Sequence, residues 1–265
     1  MMRIPYGIVL GMTLLQDAET LVGTFEEQGR LIKLPDDSAV IFVGDTHGDL
    51  DATERVFSQF PPQQNTLVFL GDTVDRGPDS EATLRLVLQT KREHPDRVFL
   101  LMGNHEAWGA ATFSPADFWR SLDPQTADAL AEILLRLPYA ALHASGVLAL
   151  HGALPRLTSV MDIDSVEPGS RAWRAMTWGD WHAEGRVSVG GRPGFGRDDF
   201  ESRARQLGID ILVRSHQPSA PRYLFDSRCL TLFTSSAYGD SHRSVARLEP
   251  GRTVRTARDL DLIEI

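Results

Sequence analysis

The chain has 265 residues, 42% of them hydrophobic, 24% charged and 8% aromatic, with a formal net charge of −9. Such a length and balance give one large buried core, or at most two small ones, and exclude a fibrous or disordered chain. The acidic excess argues against broad nucleic-acid binding, which needs clustered lysine and arginine, and it asks for a local positive site wherever the chain handles phosphate.

Residues 8–15 form an apolar run that is too short to span a bilayer, soon meets Asp17 and Glu19, and lacks a small-residue cleavage pattern. Residues 1–37 are therefore expected to pack as an N-terminal extension on a single domain spanning 1–265, with no membrane contact and a cytoplasmic location. From residue 39 one arrangement recurs five times: a short β-rich apolar run ends in a turn that carries a potential metal ligand. Ala39-Val40-Ile41-Phe42-Val43 leads into Gly44-Asp45-Thr46-His47-Gly48, and Thr66-Leu67-Val68-Phe69-Leu70 leads into Gly71-Asp72, with Asp75-Arg76-Gly77 just beyond. The run at 98–102 leads into Gly103-Asn104-His105-Glu106, the run at 147–150 into His151-Gly152, and the run at 209–213 into Arg214-Ser215-His216.

The runs lack polar alternation, which is the mark of strands covered on both faces, and the segments at 80–93, 128–137 and 199–207 read as helices between them. Strands alternating with helices predict an α/β fold, with functional groups gathered beyond the carboxyl ends of the strands. A lone aspartate or histidine after a strand is usually a turn former or a helix cap. Five at the same topological position reverse that judgement. Of the eight histidines, His47, His105, His151 and His216 occupy these turns; His94, His143, His182 and His242 do not, and are read as surface or packing residues. The single cysteine, Cys229, lies in an apolar run as a small buried hydrophobe, which forbids an intrachain disulfide and fits a reducing compartment.

Aspartate, asparagine and histidine without thiolate suit manganese, iron, zinc or magnesium better than copper(I) or an iron–sulfur cluster. Asp45 and His47, two residues apart on one turn, can close on one ion, and a second ion needs its own imidazole and carbonyl donors and a carboxylate able to bridge. Two ions about 3.5–4 Å apart acidify a shared water and polarise a phosphoryl group, which suits hydrolysis by in-line displacement. A poor alkoxide leaving group then needs a proton donor. His105 is the candidate, held cationic by Asp75, and Arg76 offers a planar fork for phosphate oxygens.

Taken in order, Gly44-Asp45-Thr46-His47-Gly48, Gly71 to Gly77, Gly103-Asn104-His105-Glu106, His151-Gly152 and Arg214-Ser215-His216 resemble the phosphoprotein phosphatases, the metal-dependent serine/threonine phosphatases related to calcineurin and type 1 phosphatase. Looser likeness lies in Leu137-Pro138-Tyr139-Ala140, in Trp178-Gly179-Asp180, and in Leu232-Phe233 as a last core strand before an active-site tyrosine, Tyr238. The resemblance covers residues 38–245, the motif-bearing core. It implies a metallophosphoesterase-like four-layer sandwich, with two mixed β-sheets flanked by helices. It also implies a manganese-type metal pair, with iron or zinc as alternatives. Asp45 and His47 would bind one ion, Asp72 would bridge, and Asn104, His151 and His216 would complete the second ion's ligands.

By the same resemblance His105 is the proton donor paired with Asp75, and Arg76, Asn104 and Tyr238 face the substrate phosphate. A second phosphate-binding arginine is expected shortly before Phe195-Gly196, with Arg192 preferred over Arg186. Arg214 is expected to pair with a carboxylate. The implied substrate is a phosphorylated protein or peptide, with no nucleic acid involved and no regulatory partner identified. A dinucleoside polyphosphate hydrolase is the alternative; relatives of that kind lack the aspartate before the arginine and carry aspartate after Asn-His, whereas Asp75 and Glu106 are present here. A binding module that has lost turnover would have lost ligands, and none is missing. A nuclease would need more basic charge.

Overall fold

The computed structural model describes residues 12–185, 191–238 and 243–265; Arg186, His242 and residues 8–11, discussed above, lie outside them. In chain order the strands are β1 (Leu31–Lys33), β2 (Ala39–Val43), β3 (Asn65–Phe69), β4 (Val98–Leu100), β5 (Ala140–Leu142), β6 (Val147–Leu150), β7 (Asp180–Trp181), β8 (Gly194–Phe195), β9 (Ile211–Arg214), β10 (Tyr223–Leu224), β11 (Cys229–Thr231), β12 (Ser244–Leu248) and β13 (Asp261–Glu264). The α-helices are α1 (Leu14–Glu19), α2 (Val22–Gln28), α3 (Leu50–Gln59), α4 (Ser80–Glu93), α5 (Asp117–Ser121), α6 (Pro124–Leu134), α7 (Arg171–Trp178) and α8 (Arg197–Leu207).

Two mixed sheets result. One runs β1-β5-β6-β9-β11-β10, in which β6, β9 and β11 are parallel neighbours; the other runs β13-β12-β2-β3-β4, in which β2, β3 and β4 are parallel. Side chains alternate across a strand, so the continuous apolar runs must face two cores. Val40, Phe42, Val68 and Leu70 of one sheet share a core with Val147, Ala149, Ile211 and Val213 of the other, so the sheets pack face to face. The intervening residues Ile41, Val43, Leu67, Phe69, Leu148, Leu150 and Leu212 face outward into a second core, where α3, α4, α7 and α8 contribute Phe57, Leu84, Trp173 and Phe200. The layers are therefore helices, sheet, sheet, helices.

The predicted helix at 80–93 is present with the same bounds. The helix expected at 128–137 instead begins at Pro124 and ends at Leu134, because Asp123 caps the Thr126 N–H at 3.1 Å and a proline at the first helical position is already set for the turn. The helix expected at 199–207 begins two residues earlier, at Arg197, with Asp198 and Asp199 in its positive first turn. The α3 helix was not anticipated; its signal is Asp49, whose side chain accepts the Ala52 N–H at 3.1 Å.

The last core strand also departs from expectation. It ends at Thr231, and Phe233 makes an isolated parallel bridge to Asp45. That bridge ties the two sheets together at one end of the sandwich. It requires Gly44: a Cβ there would lie 2.5 Å from the Leu232 carbonyl oxygen.

At the N-terminal side, Leu14, Ala18, Leu21 and Phe25 are buried, and β1 adds an edge strand beside β5. The buried Asp17 carboxylate accepts from Arg85 Nε at 3.1 Å, Gln89 Nε2 at 2.9 Å and Arg92 Nη1 at 3.2 Å, which fastens α1 to α4. Cys229 is buried, and burial pushes its thiol up to about 12, an inert sulfur. Among the described residues no helix is long and apolar enough to cross a membrane.

Candidate dinuclear metal centre

The turns that follow β2, β3, β4, β6 and β9 meet at the bridged end of the sandwich, and they bring the side chains of Asp45, His47, Asp72, Asn104, His151 and His216 into one buried cluster. Of the eight non-glycine residues with positive φ among the described residues, five are His47, Asp72, Asp75, Arg76 and His216. A left-handed backbone is costly for residues with a Cβ. Its concentration here means that the surrounding structure holds these turns against their local preference. Gly77 and Gly103 permit close approaches, since a Cβ would collide with the His47 carbonyl at the first and with the Asp72 side chain at the second.

Each histidine of the cluster has one ring nitrogen engaged on the outside and the other turned inward. His47 Nδ1 donates to the Val74 carbonyl at 2.8 Å, and His151 Nδ1 to the Leu70 carbonyl at 3.0 Å. His216 Nε2 lies 3.2 Å from Asp180 Oδ1. A carbonyl can only accept, so it fixes the ring proton on the outer nitrogen and leaves a lone pair on the inner one. The carboxylates are divided in the same way. Asp72 Oδ1 accepts the His105 N–H at 2.8 Å, while Asp72 Oδ2 lies 3.3 Å from His151 Nε2 and 3.7 Å from His47 Nε2. Asp45 Oδ1 accepts from the Ser215 hydroxyl and from the His216 N–H at 3.3 Å, while Oδ2 is buried without a hydrogen-bond partner, 3.7 Å from His47 Nε2.

His151 Nε2 is therefore surrounded by acceptors: Asn104 Oδ1 at 3.2 Å, His216 Nδ1 at 3.1 Å and Asp72 Oδ2 at 3.3 Å. Inward lone pairs at such distances repel unless a cation sits among them. In the chain alone a proton takes that role. Burial pulls the His151 imidazole down, but the Asp72 and Asp45 carboxylates outweigh it and push it up to about 9. Burial holds His47 down to about 3 and His216 down to about 4, and pushes Asp45 up to about 7. Neutral imidazoles with inward lone pairs are the form in which histidine binds a metal. The donor set fits two divalent ions: Asp45, His47 and Asp72 would hold one, and Asp72, Asn104, His151 and His216 would hold the other.

Beside the cluster, His105 Nδ1 pairs with Asp75 Oδ2 at 2.7 Å, and Asp75 Oδ1 accepts the Phe118 N–H at 2.8 Å. Burial lowers the His105 imidazole, but Asp72 and Asp75 outweigh it, so its basicity is raised. Its other nitrogen, Nε2, faces inward 4.0 Å from Asp72 Oδ2. Arg76 is exposed, with its guanidinium 5.1 Å from the Tyr238 ring centroid, and the Tyr238 hydroxyl donates to His47 Nε2 at 3.0 Å. On the opposite flank, Arg192 stacks 4.9 Å over Trp178, itself edge-on to His216 at 6.2 Å, and lies 3.7 Å from Asp180. Arg76 and Arg192 thus border the cluster from two sides; Arg186 lies outside the described residues. Arg214 is a correction. It is fully buried, but it donates to the Gly179 carbonyl at 2.8 Å and lies under the Phe195 ring, with no carboxylate in hydrogen-bond reach among the described residues.

Four supporting residues received no role from the sequence. Glu106 accepts from the backbone N–H of Asp72 at 2.7 Å, of Thr73 at 2.8 Å and of Gly103 at 3.0 Å, and from the Thr73 hydroxyl, so it fixes the Asp72 turn from beneath. Ser215 bonds the Asp45 carboxylate and its N–H, Asp180 orients His216, and Trp119 Nε1 donates to the His105 carbonyl at 2.8 Å. Glu106 and Ser215 adjoin His105 and His216 in the chain, and that adjacency was the available signal.

A sequence profile of the calcineurin-like phosphoesterases matches residues 38–220. A serine/threonine-protein phosphatase of Caenorhabditis elegans is 28% identical over 237 residues, covering 79% of this chain and 50% of that protein, so the chain spans about half the length of the curated relative it matches. A solved protein serine/threonine phosphatase from Saccharomyces cerevisiae, described as similar to human phosphatase PP5, superposes with a TM-score of 0.78 at 22% identity, over 95% of this chain and 89% of the yeast one. A structure provisionally described as a diadenosine tetraphosphatase gives a TM-score of 0.56 at 21% identity, over 89% of this chain and 98% of the other.

Proposed function

The chain belongs to the calcineurin-like phosphoesterase family, and from that premise we propose that it is a serine/threonine protein phosphatase that hydrolyses phosphomonoesters with a pair of divalent ions, manganese in our reading. The observation that carries this is the inward convergence of His47, His151, His216, Asp45 and Asn104 around Asp72 Oδ2, with the His105–Asp75 pair directly beside it. When bound, the ions supply Lewis acidity toward the phosphoryl oxygens and acidify water.

The chain's own residues do the rest. The buried Asp72 and Asp45 carboxylates hold the positive charge in place, and the outer hydrogen bonds of His47 and His151, with the Asp180 carboxylate beside His216, keep the inner ring nitrogens aimed inward. Arg76, exposed at the mouth and meeting no carboxylate among the described residues, is placed to clamp two phosphate oxygens, with Arg192 as the second guanidinium and Tyr238 as a hydroxyl donor. His105 holds a proton on Nε2, because Asp75 stabilises the imidazolium through Nδ1, and delivers it to the departing alkoxide. A serine or threonine alkoxide needs that proton; a nucleotide phosphate leaving group does not, which is why the Asp75–His105 pair favours a phosphoprotein substrate over a dinucleoside polyphosphate.

Assay with added manganese on phosphoserine and phosphothreonine peptides, diadenosine tetraphosphate and a cyclic nucleotide tests the reading. The peptides are expected to give the highest kcat/KM. A clear preference for diadenosine tetraphosphate would overturn it.

A further inference from the structure

A cavity of about 570 Å³ stands away from the metal ligands, and four arginines, Arg156, Arg171, Arg174 and Arg203, line it together with Ala175 and Pro193. The only carboxylate paired with them among the described residues is Asp199, which bonds Arg156 at 2.8 Å and Arg203 at 2.9 Å. Arg171 and Arg174 are exposed and meet no carboxylate among the described residues, Arg174 donating only to the Gly169 carbonyl at 3.4 Å. Arg203 Nε is buried with no hydrogen-bond partner, although Nη1 reaches the Leu154 carbonyl at 2.7 Å.

Four cations facing one anion repel one another, and they do so on a chain whose net charge is −9. Folding stability does not explain such a cluster; an anionic ligand would relieve it. Guanidinium forks match carboxylate and phosphate oxygens.

The cavity and the centre are built on the same elements. The Ala175 and Met176 carbonyls accept the Ala153 and Gly152 N–H groups, which directly follow His151. From Ala175 to Trp178, the residue against His216, is about 4.5 Å along the helix axis at 1.5 Å per residue. Pro193 adjoins Arg192, whose guanidinium covers Trp178. Arg192 and the cavity arginines are thus carried by the elements that border the centre.

We propose that this arginine cavity is an anion subsite that takes a second negative group on the substrate chain, a carboxylate or a phosphate a few residues from the one being hydrolysed. The proposal rests on the protein-phosphatase reading. It makes the enzyme selective for acidic or multiply phosphorylated peptides.

The test compares wild type with Arg171→Ala/Arg174→Ala and with the charge-conserving Arg171→Lys/Arg174→Lys. The substrates are a phosphothreonine peptide with neutral flanks, the same peptide with glutamates placed at successive positions, a doubly phosphorylated peptide, and an aryl phosphate. Wild type is expected to prefer the acidic and doubly phosphorylated peptides by about tenfold in kcat/KM, mostly through KM, with the preference fading in salt. The alanine pair is expected to bring those peptides down to the neutral one, the lysine pair to keep part of the preference, and the aryl phosphate to be unchanged throughout. The glutamate and phosphate arms show which anion is read.

Wild-type indifference to flanking charge, or an equal loss on neutral and acidic peptides in the alanine pair, overturns the proposal. If wild type hydrolyses the aryl phosphate but no phosphopeptide, the protein-phosphatase reading fails instead. Fluorescence anisotropy with an unphosphorylated acidic peptide then judges the cavity separately: binding lost in the alanine pair supports an anion subsite, and binding unaffected by it overturns one.

Discussion

Two buried polar clusters in this protein are built on opposite plans. Around Asp17 every side chain has an answer: both carboxylate oxygens accept from Arg85, Gln89 or Arg92, and the residues sit on ordinary helices. Around Asp72 acceptors face acceptors, Asp45 Oδ2 has no partner, and the turns carry positive φ. The first cluster is complete within the chain and serves to fasten α1 to α4. The second is incomplete within the chain, and its construction opposes its own stability unless a cation enters. A buried charge by itself therefore says little about function; whether its partners are donors or further acceptors says a great deal.

Removing the carboxylate charge at the two centres should give different results. Asp72→Asn is expected to lower turnover by several orders of magnitude and to reduce bound metal measured by elemental analysis, and also to lower the thermal midpoint of the metal-free protein, because the carboxylate that holds the His151 proton is gone. An Asp72→Asn protein that kept wild-type turnover and wild-type bound metal would dissolve the contrast.

His105→Asn sharpens the same comparison within the active cluster. It should lower kcat on a phosphoserine peptide by about 10²–10⁴-fold, with a much smaller effect on an aryl phosphate and with metal content retained. Equal losses on both substrates would place His105 in substrate or metal positioning instead.

At the other cluster, Asp17→Ala should leave kcat/KM near wild type and cost about 2–3 kcal/mol of stability in a urea titration, from charge-assisted hydrogen bonds lost in a buried site. Lost activity at unchanged stability would contradict the division of labour drawn above.

The smallest effect concerns Lys91, buried on α4, whose ammonium donates to the Val98 carbonyl at 2.9 Å and lies 5.1 Å from the Phe99 ring centroid. Burial lowers its basicity from 10.5 to about 7. Between those values the unfolded chain holds a proton that the folded chain has released, so unfolding becomes less favourable as pH rises; below about 7 both states are protonated and the burial penalty is constant. Urea midpoints from pH 7 to about pH 9 should rise for wild type relative to Lys91→Met, by at most about 1.4 kcal/mol per pH unit. Parallel pH profiles for the two proteins would remove Lys91 as the source.

Much of the architecture was legible because it is written locally. Apolar runs of strand length, glycine-bearing turns and the periodicity of residues 80–93 are properties of neighbouring residues, and the structure places β2, β3, β6 and α4 where those signals lie. The start of α6 was missed because a cap and a proline decide where that helix begins, and they outrank apolar spacing; α8 starts two residues early with acidic residues in its first turn. The α3 helix was missed because its cap, Asp49, stands in a turn that reads first as ligand-bearing. Within the site, the six residues offered to the cation pair and the His105–Asp75 pairing could be named from the five turns and the family they resemble.

Sequence by itself determined the vocabulary of this protein: which short runs become strands, and which oxygen and nitrogen donors stand at their ends. Only the tertiary structure decided which oxygen of Asp72 faces inward, that Glu106 pins the turn carrying it, that Asp180 orients His216, and that Arg214 answers a carbonyl rather than a carboxylate. It alone gathered Arg156, Arg171, Arg174 and Arg203, four residues spread over three segments, around one cavity. The reason is physical. Turn and strand propensities act between neighbours along the chain, whereas the direction of a lone pair or a guanidinium is set by contacts between residues far apart in it, and those exist only once the two sheets have closed on each other.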